Sequence, residues 1–140
     1  MYMQAFFSTK HLDRYHAYAP TKEYLDQLVE KFDLHEIIEE DILDATVQDK
    51  IDVYDNCLFL VLHFPKYKKE RGKYIINEFN IIVGKGWLVT LTKYKTDHID
   101  VIKQAYGEQM KTLESDEQFK LSPYYILYEL IDAMYDKVLI

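Results

Sequence analysis

Acidic side chains crowd one short stretch of the sequence. Between Glu30 and Asp44 stand Glu30, Asp33, Glu36, Glu39, Glu40, Asp41 and Asp44, opposed only by Lys31. On a helix of about 3.6 residues per turn, Glu36, Glu40 and Asp44 share one side. Asp41 departs from them. At about 100° per residue it falls among Leu34, Ile37, Ile38 and Ala45, on the apolar stripe. A carboxylate on a buried stripe requires a partner: a cation, hydrogen-bond donors or a bound metal. The plainer alternative places Asp41 at a helix end, capping a backbone amide. A second acidic line lies near the C-terminus. Glu129, Asp132 and Asp136 recur at i, i+3 and i+7, opposite a broad apolar stripe of Leu127, Leu130, Ile131, Met134 and Val138. No lysine shares that line, and like charges so spaced repel modestly. Such a line is either a solvated face or a face for divalent cations, since hard ions such as Mg²⁺ and Ca²⁺ take carboxylate oxygens. Mg²⁺ retains much of its water, so one or two carboxylates suffice for a weak site, and Mn²⁺ or Zn²⁺ can substitute.

Other chemistries find less support. The five histidines, His11, His16, His35, His63 and His98, have no metal-binding spacing, which argues against structural zinc. His63 alternates with apolar residues and reads as a core-edge histidine. No nucleophile elbow, phosphate loop or dinucleotide fingerprint is present, and Gly84-Lys85-Gly86 reads as a turn in which two glycines permit positive φ. Cys57 is the single cysteine and sits among apolar residues, as a space-filling thiol does. The chain is therefore read as a non-enzyme, without a catalytic residue or an organic cofactor.

The elements that must position the acids follow from periodicity. Thr21 caps a helix to Phe32, with Tyr24, Leu25, Leu28, Val29 and Phe32 on one stripe. A second helix runs from His35 to Ala45. Ile51 and Val53, then Leu58 to Leu62, form two strands joined by a turn at Asp55-Asn56. Tyr74 to Val83 is a strand with Ile75, Phe79, Ile81 and Val83 on one face, and Trp87 to Tyr94 is another. Leu58–Phe64 is apolar on both sides, which predicts a strand covered on both faces. Thr96-Asp97 caps a helix to about Leu113. A polar link from Glu114 to Lys120 leads to Ser122-Pro123, which opens a last helix in the favoured way. The fold class expected is α/β: a central mixed, largely antiparallel sheet flanked by helices on both faces, an α/β/α sandwich. The last helix meets no Gly or Pro before Ile140, so the native polypeptide is expected to be longer, with this chain ending inside that helix.

Composition sets the outer limits. With 140 residues, 49% of them apolar, the chain suits one domain over residues 1–140. A net charge of −7 repels phosphate backbones and disfavours nucleic acid as a partner. The basic cluster Lys66, Lys68, Lys69, Arg71 and Lys73 reads as a solvated hairpin loop beside Gly72. No apolar run approaches the roughly twenty residues of a membrane helix, and Met1–Phe7 lacks a signal-peptide pattern. A lone cysteine fits a reducing, intracellular setting. The thirteen tyrosines are expected at the core edge or on a contact surface.

Several landmarks together resemble the CorA family of magnesium transporters. The run from His35 through Glu39-Glu40-Asp41-Ile42-Leu43, then Gln48-Asp49-Lys50 and Tyr54-Asp55-Asn56-Cys57-Leu58-Phe59, is similar to that family's His-Pro-Leu, Glu-Asp-Ile-Leu and Gln-Arg-Pro-Lys stretches before an acidic-aromatic strand entry. Ile82-Val83-Gly84-Lys85-Gly86-Trp87-Leu88-Val89-Thr90 resembles its hairpin. Tyr125 to Ala133, with Leu130-Ile131-Asp132, resembles one of its helices. The likeness spans about Thr21 to Ile140. Glu36 stands where the family has Pro, and Asp49 where it has Arg-Pro. The family's long stalk helix, membrane helices and Gly-Met-Asn pore motif have no counterpart in these residues.

The resemblance implies a metal-sensing regulatory domain on the cytoplasmic side of the cell membrane, itself soluble and not inserted in the bilayer. Its implied partners are its own stalk and membrane helices and identical subunits in a homopentamer. It also implies that Asp41 with Glu40 supplies one side of an inter-subunit Mg²⁺ site, that Asp132 is a second metal-associated acid, and that Asp136 extends it. Mg²⁺ is expected to bind weakly, with Co²⁺, Mn²⁺ or Zn²⁺ as substitutes. The alternative is a soluble protein-interaction domain whose carboxylates form only a solvated acidic surface.

Overall fold

The long apolar runs of the middle third pair into a hairpin that organises everything else. A computed structural model describes residues 7–8, 12–44, 48–94 and 122–138. In chain order they form β1 (Phe7–Ser8), β2 (Asp13–Tyr18), α1 (Lys22–Phe32), α2 (Glu36–Leu43), β3 (Lys50–Val53), β4 (Cys57–Lys68), β5 (Lys73–Gly84), β6 (Trp87–Thr92) and α3 (Pro123–Val138). The sheet order is β1-β2-β6-β5-β4-β3. The β3–β4, β4–β5, β5–β6 and β1–β2 pairs are antiparallel, and β2 joins β6 in parallel. The sheet is thus mixed and largely antiparallel, as expected.

Alternation along the central strands sends side chains to two cores. Leu60, Phe64, Phe79, Ile81, Val83 and Leu88 pack on one face against Ile126, Leu127, Leu130 and Met134 of α3. Phe59, Val61, Ile82, Val89 and Leu91 pack on the other against Leu25 and Leu28 of α1 and Ile38 of α2. The α/β/α sandwich follows: α1 and α2 cover one face and α3 the opposite face.

Local chemistry sets the element ends. Thr21 accepts a hydrogen bond from the Tyr24 N–H at 3.1 Å, the N-cap expected from its type. Asp33 ends α1 in the left-handed region at φ 51°, a conformation Asp tolerates better than most residues. The second helix is shorter than its sequence pattern. His35 caps it, its Nδ1 accepting the Ile37 N–H at 3.1 Å, and it closes at Leu43. Ser122 receives the Tyr124 N–H at 3.2 Å before Pro123 starts α3.

Several details differ from expectation. β4 continues to Lys68 through Pro65, so Lys66 and Lys68 belong to a strand, and only 69–72 make the turn. β3 pairs only with Leu58–Val61, so β4 is a sheet edge at Pro65, where a missing donor is tolerated. In the β5–β6 turn Gly86 alone has positive φ, at 79°. Gly84 serves a different need. A Cβ there would meet the Trp87 indole at 2.1 Å, because that ring lies across the strand to stack on Phe32 with centroids 4.0 Å apart. β1 and β2 were not expected at all. The helix expected over Thr96 to Leu113, the link to Lys120 and the end of the second helix at Ala45 lie outside the described residues.

Candidate metal centre

Ile38 is fully buried against the sheet, and it fixes the rotation of α2. Asp41, one turn later, is thereby turned toward the first residue of β3. Its side chain is only 19% exposed. The partner that a carboxylate in this position requires is Lys50. The ammonium donates to Asp41 Oδ2 in a close ion pair and to Asp52 Oδ2 at 2.9 Å. Lys50 and Asp52 stand two residues apart on β3, so they share its α2-side face. The Nζ atom also lies 5.7 Å from the centroid of the buried Phe59 ring. Hydrogen bonds to Asp41 and then to Asp52 hold the Lys50 ammonium well above the usual lysine range. Among the alternatives left open for Asp41, the structure chooses a cation from the same chain. At the C-terminal end of α2 the Asp44 N–H bonds to the backbone carbonyls of Glu40 and Asp41 and not to the Asp41 side chain.

Glu40, beside it, is exposed. Asp132 is exposed on α3, which covers the other face of the sheet. Asp136 lies one turn further along α3, with its side chain outside the described set. The structure therefore brings Asp41 to Lys50 and Asp52 but not to Asp132. Among the described residues no group of three or more His, Cys, Asp or Glu side chains is placed to hold a metal ion. The fit to a divalent cation is accordingly partial. The two carboxylates, Asp41 and Asp52, are already paired with the Lys50 ammonium. Their oxygens are the right kind of donor for Mg²⁺.

Two further polar clusters were not anticipated. His63 donates from both ring nitrogens when protonated: Nδ1 faces Asp49 Oδ1 at 2.5 Å and Nε2 faces Glu78 Oε1 at 3.1 Å. The other Glu78 oxygen accepts from Asn80 Nδ2 at 3.2 Å. Burial pulls the His63 pKa down, but the hydrogen bonds to Asp49 and Glu78 outweigh it and raise the value. The pairing was readable in principle, because a turn at 69–72 sets His63 opposite Glu78 in the β4–β5 ladder. On the far side of α2, Lys22 bridges Asp26 and Glu39 at 3.2 Å each and ties α1 to α2. Glu39 is raised chiefly by its hydrogen bond with Asp26. Cys57 is buried, and burial raises its thiol pKa, which makes it a poor nucleophile.

A family model described as CorA-like Mg²⁺ transporter protein matches residues 10–139. The chain belongs to that family. Over 114 residues this CorA-like chain is 24% identical to the cobalt/magnesium transport protein CorA of Thermotoga maritima, covering 81% of this chain and 31% of the relative. The soluble domain of CorA from Methanocaldococcus jannaschii superposes with a TM-score of 0.66 at 16% identity, over 91% of this chain and 50% of the other. The full-length CmaX protein superposes with a TM-score of 0.72 at 10% identity, over 93% of this chain and 38% of the other. The two structures share its fold. The chain spans about a third of the length of the Thermotoga relative. No helix of the described residues is long and apolar enough to cross a membrane.

Proposed function

We propose that this chain is the cytoplasmic metal-sensing domain of a CorA-like divalent-cation transporter, with Mg²⁺ the leading cation and Co²⁺, Mn²⁺ or Zn²⁺ able to substitute. In this reading Asp41 and Glu40 offer one half of a site shared between identical subunits of a homopentamer, and Asp132 with Asp136 offers acids to a second contact. The stalk and membrane helices would complete the transporter. The chain itself has a regulatory and not a catalytic part.

The observation that carries the reading is the half-buried Asp41 carboxylate, held at the C-terminal end of α2 and already engaged by a cation. A bound dication would neutralise carboxylates that otherwise repel across a subunit contact. With Asp41 and Glu40 as only one half of a shared site, the chain binds Mg²⁺ weakly, at roughly millimolar levels or worse. Sedimentation of the 140-residue chain with and without millimolar Mg²⁺ tests this. Mg²⁺-dependent self-association that is lost in Asp41→Asn is the expected result. A mass that never changes with Mg²⁺ argues for the other reading, an interaction domain. That reading draws on the exposed tyrosines Tyr67 and Tyr74 at the hairpin tip, whose rings lie 5.0 Å apart.

A further inference from the structure

β5 carries a buried amide with one hydrogen bond missing. Asn80 is only 4% exposed. Its Nδ2 donates to Glu78 Oε2 at 3.2 Å, but its Oδ1 is buried with no hydrogen-bond partner among the described residues. A buried acceptor left in this way costs free energy and calls for a donor. In the antiparallel register Asn80 stands opposite Leu91, which packs on the α1–α2 face, so the Asn80 side chain points to that face too. There it borders a cavity of about 220 Å³. Leu25 of α1, Ile42 and Leu43 of α2 and Leu91 of β6 supply apolar walls, and Glu78 adds a carboxylate beside the amide. Thr92 Oγ1 also lacks a partner among the described residues, but Thr92 pairs with Phe79 and turns to the α3 face.

We propose that this cavity binds a small alkylammonium ion, its head between Asn80 Oδ1 and the Glu78 carboxylate and its tail among Leu25, Ile42, Leu43 and Leu91. Donor chemistry chooses the head. An amide oxygen and a carboxylate are both acceptors, so the ligand must bring N–H groups, and an ammonium brings three. Glu78 supplies the opposite charge that a cation needs once it leaves water. Its Oε1 faces His63 and its Oε2 faces Asn80, which holds the carboxylate in place, and each oxygen accepts more than one hydrogen bond. The basic residue at the cavity is Lys93, which is exposed, with its ammonium 5.5 Å from the Tyr94 ring centroid. Volume sets the tail. At about 30 Å³ per water, 220 Å³ is the space of about seven waters, and a tail of about five carbons fits it. An occupant would touch α1, α2, β5 and β6 at once and so tie the end of α2 to the sheet. Neither Asp41 nor Asp132 lines the cavity, so the inference stands apart from the metal reading.

The test is an NMR titration of the methyl-labelled 140-residue chain with isoamylammonium chloride, with sodium chloride as the ionic control and isoamyl alcohol as the neutral one. The Leu25 and Leu91 methyl signals are expected to shift with one midpoint in the millimolar range, as for a ligand of so few atoms. The alcohol keeps the tail but loses the charge, and is expected to bind about tenfold more weakly. Asn80→Leu removes the acceptor and keeps the size, and is expected to weaken the amine about tenfold. Leu43→Trp adds bulk at a residue that is 55% exposed, and is expected to block the cavity and abolish the shifts. Because that position lies outside the core, Leu43→Trp decides the point should Asn80→Leu fail to fold. Equal binding of amine and alcohol would overturn the assignment of the head. Shifts that persist unchanged in the variants would put the amine elsewhere and overturn the site. No shift at about 50 mM amine would mean that water alone fills the cavity, and would overturn the proposal.

Discussion

Replacing His63 by Gln is expected to remove a pH-dependent share of the stability. The side chain of His63 is 26% exposed and lies between Glu78, 12% exposed, and Asp49, 60% exposed. Its folded pKa is raised above the ordinary value of about 6.5, because hydrogen bonds to the two carboxylates outweigh burial. A raised pKa means that the folded state binds the proton more tightly than the unfolded chain does. The stabilisation is therefore complete below about pH 6 and is lost as pH rises through the folded pKa. Hydrogen bonds to a charged group are worth about 1.5–3 kcal/mol when sheltered. The exposed Asp49 contributes little of that, and solvent around the ring screens the rest, leaving about 1 kcal/mol. For a domain of this size that is roughly 3–4 °C in melting temperature. Melting curves of parent and His63→Gln, taken at half-unit steps from about pH 5.5 to 8.5, measure it as the difference between the two profiles. Parallel profiles would refute the reasoning, since they would mean that the carboxylates do not favour the imidazolium in the folded chain.

Gly84→Ala is expected to cost about 2 kcal/mol, because the added Cβ would lie 2.1 Å from a Trp87 ring carbon and the indole would have to leave Phe32. Urea unfolding measures it, and a Gly84→Ala chain as stable as the parent would contradict the packing described. Ile38→Ala is expected to cost about 3 kcal/mol, as for a fully buried residue cut to a methyl. A loss under about 1 kcal/mol would show that α2 is not anchored through this residue, and with it the orientation of Asp41.

Where the pattern was strong and local, it could be read. The two-sided apolar character of Leu58–Phe64 marked a strand covered on both faces, and Phe79, Ile81 and Val83 named one face of the next strand. Thr21, Asp55-Asn56 and Ser122-Pro123 are end signals that act on the next few residues, and each stands where it was expected. β2 was invisible because Asp13-Arg14-Tyr15-His16-Ala17-Tyr18 carries no β-branched residue. It is a strand because the edge of β6 offers a parallel partner, from Asp13 opposite Trp87 to Tyr18 opposite Thr92. Gly84 looked like a turn glycine. Its real constraint is an indole from three residues on, and only packing reveals that. Helix geometry singled out Asp41 as a carboxylate in need of a partner, but it could not name Lys50. That pairing depends on β3 starting beside the end of α2, which no local pattern encodes.

The placement of the two acidic sets limits what any metal can do in a single copy. α2 and α3 cover opposite faces of the sheet, so Asp41 and Asp132 are separated by the sheet and at least part of both cores. Stacked layers lie about 10 Å apart, whereas an ion such as Mg²⁺ holds its oxygens at about 2.1 Å. One dication cannot reach both carboxylates within one chain, even with a water on each side. If both sets hold metal, they do so as separate sites. The same geometry explains why acidic helices on two faces need not repel each other in the monomer.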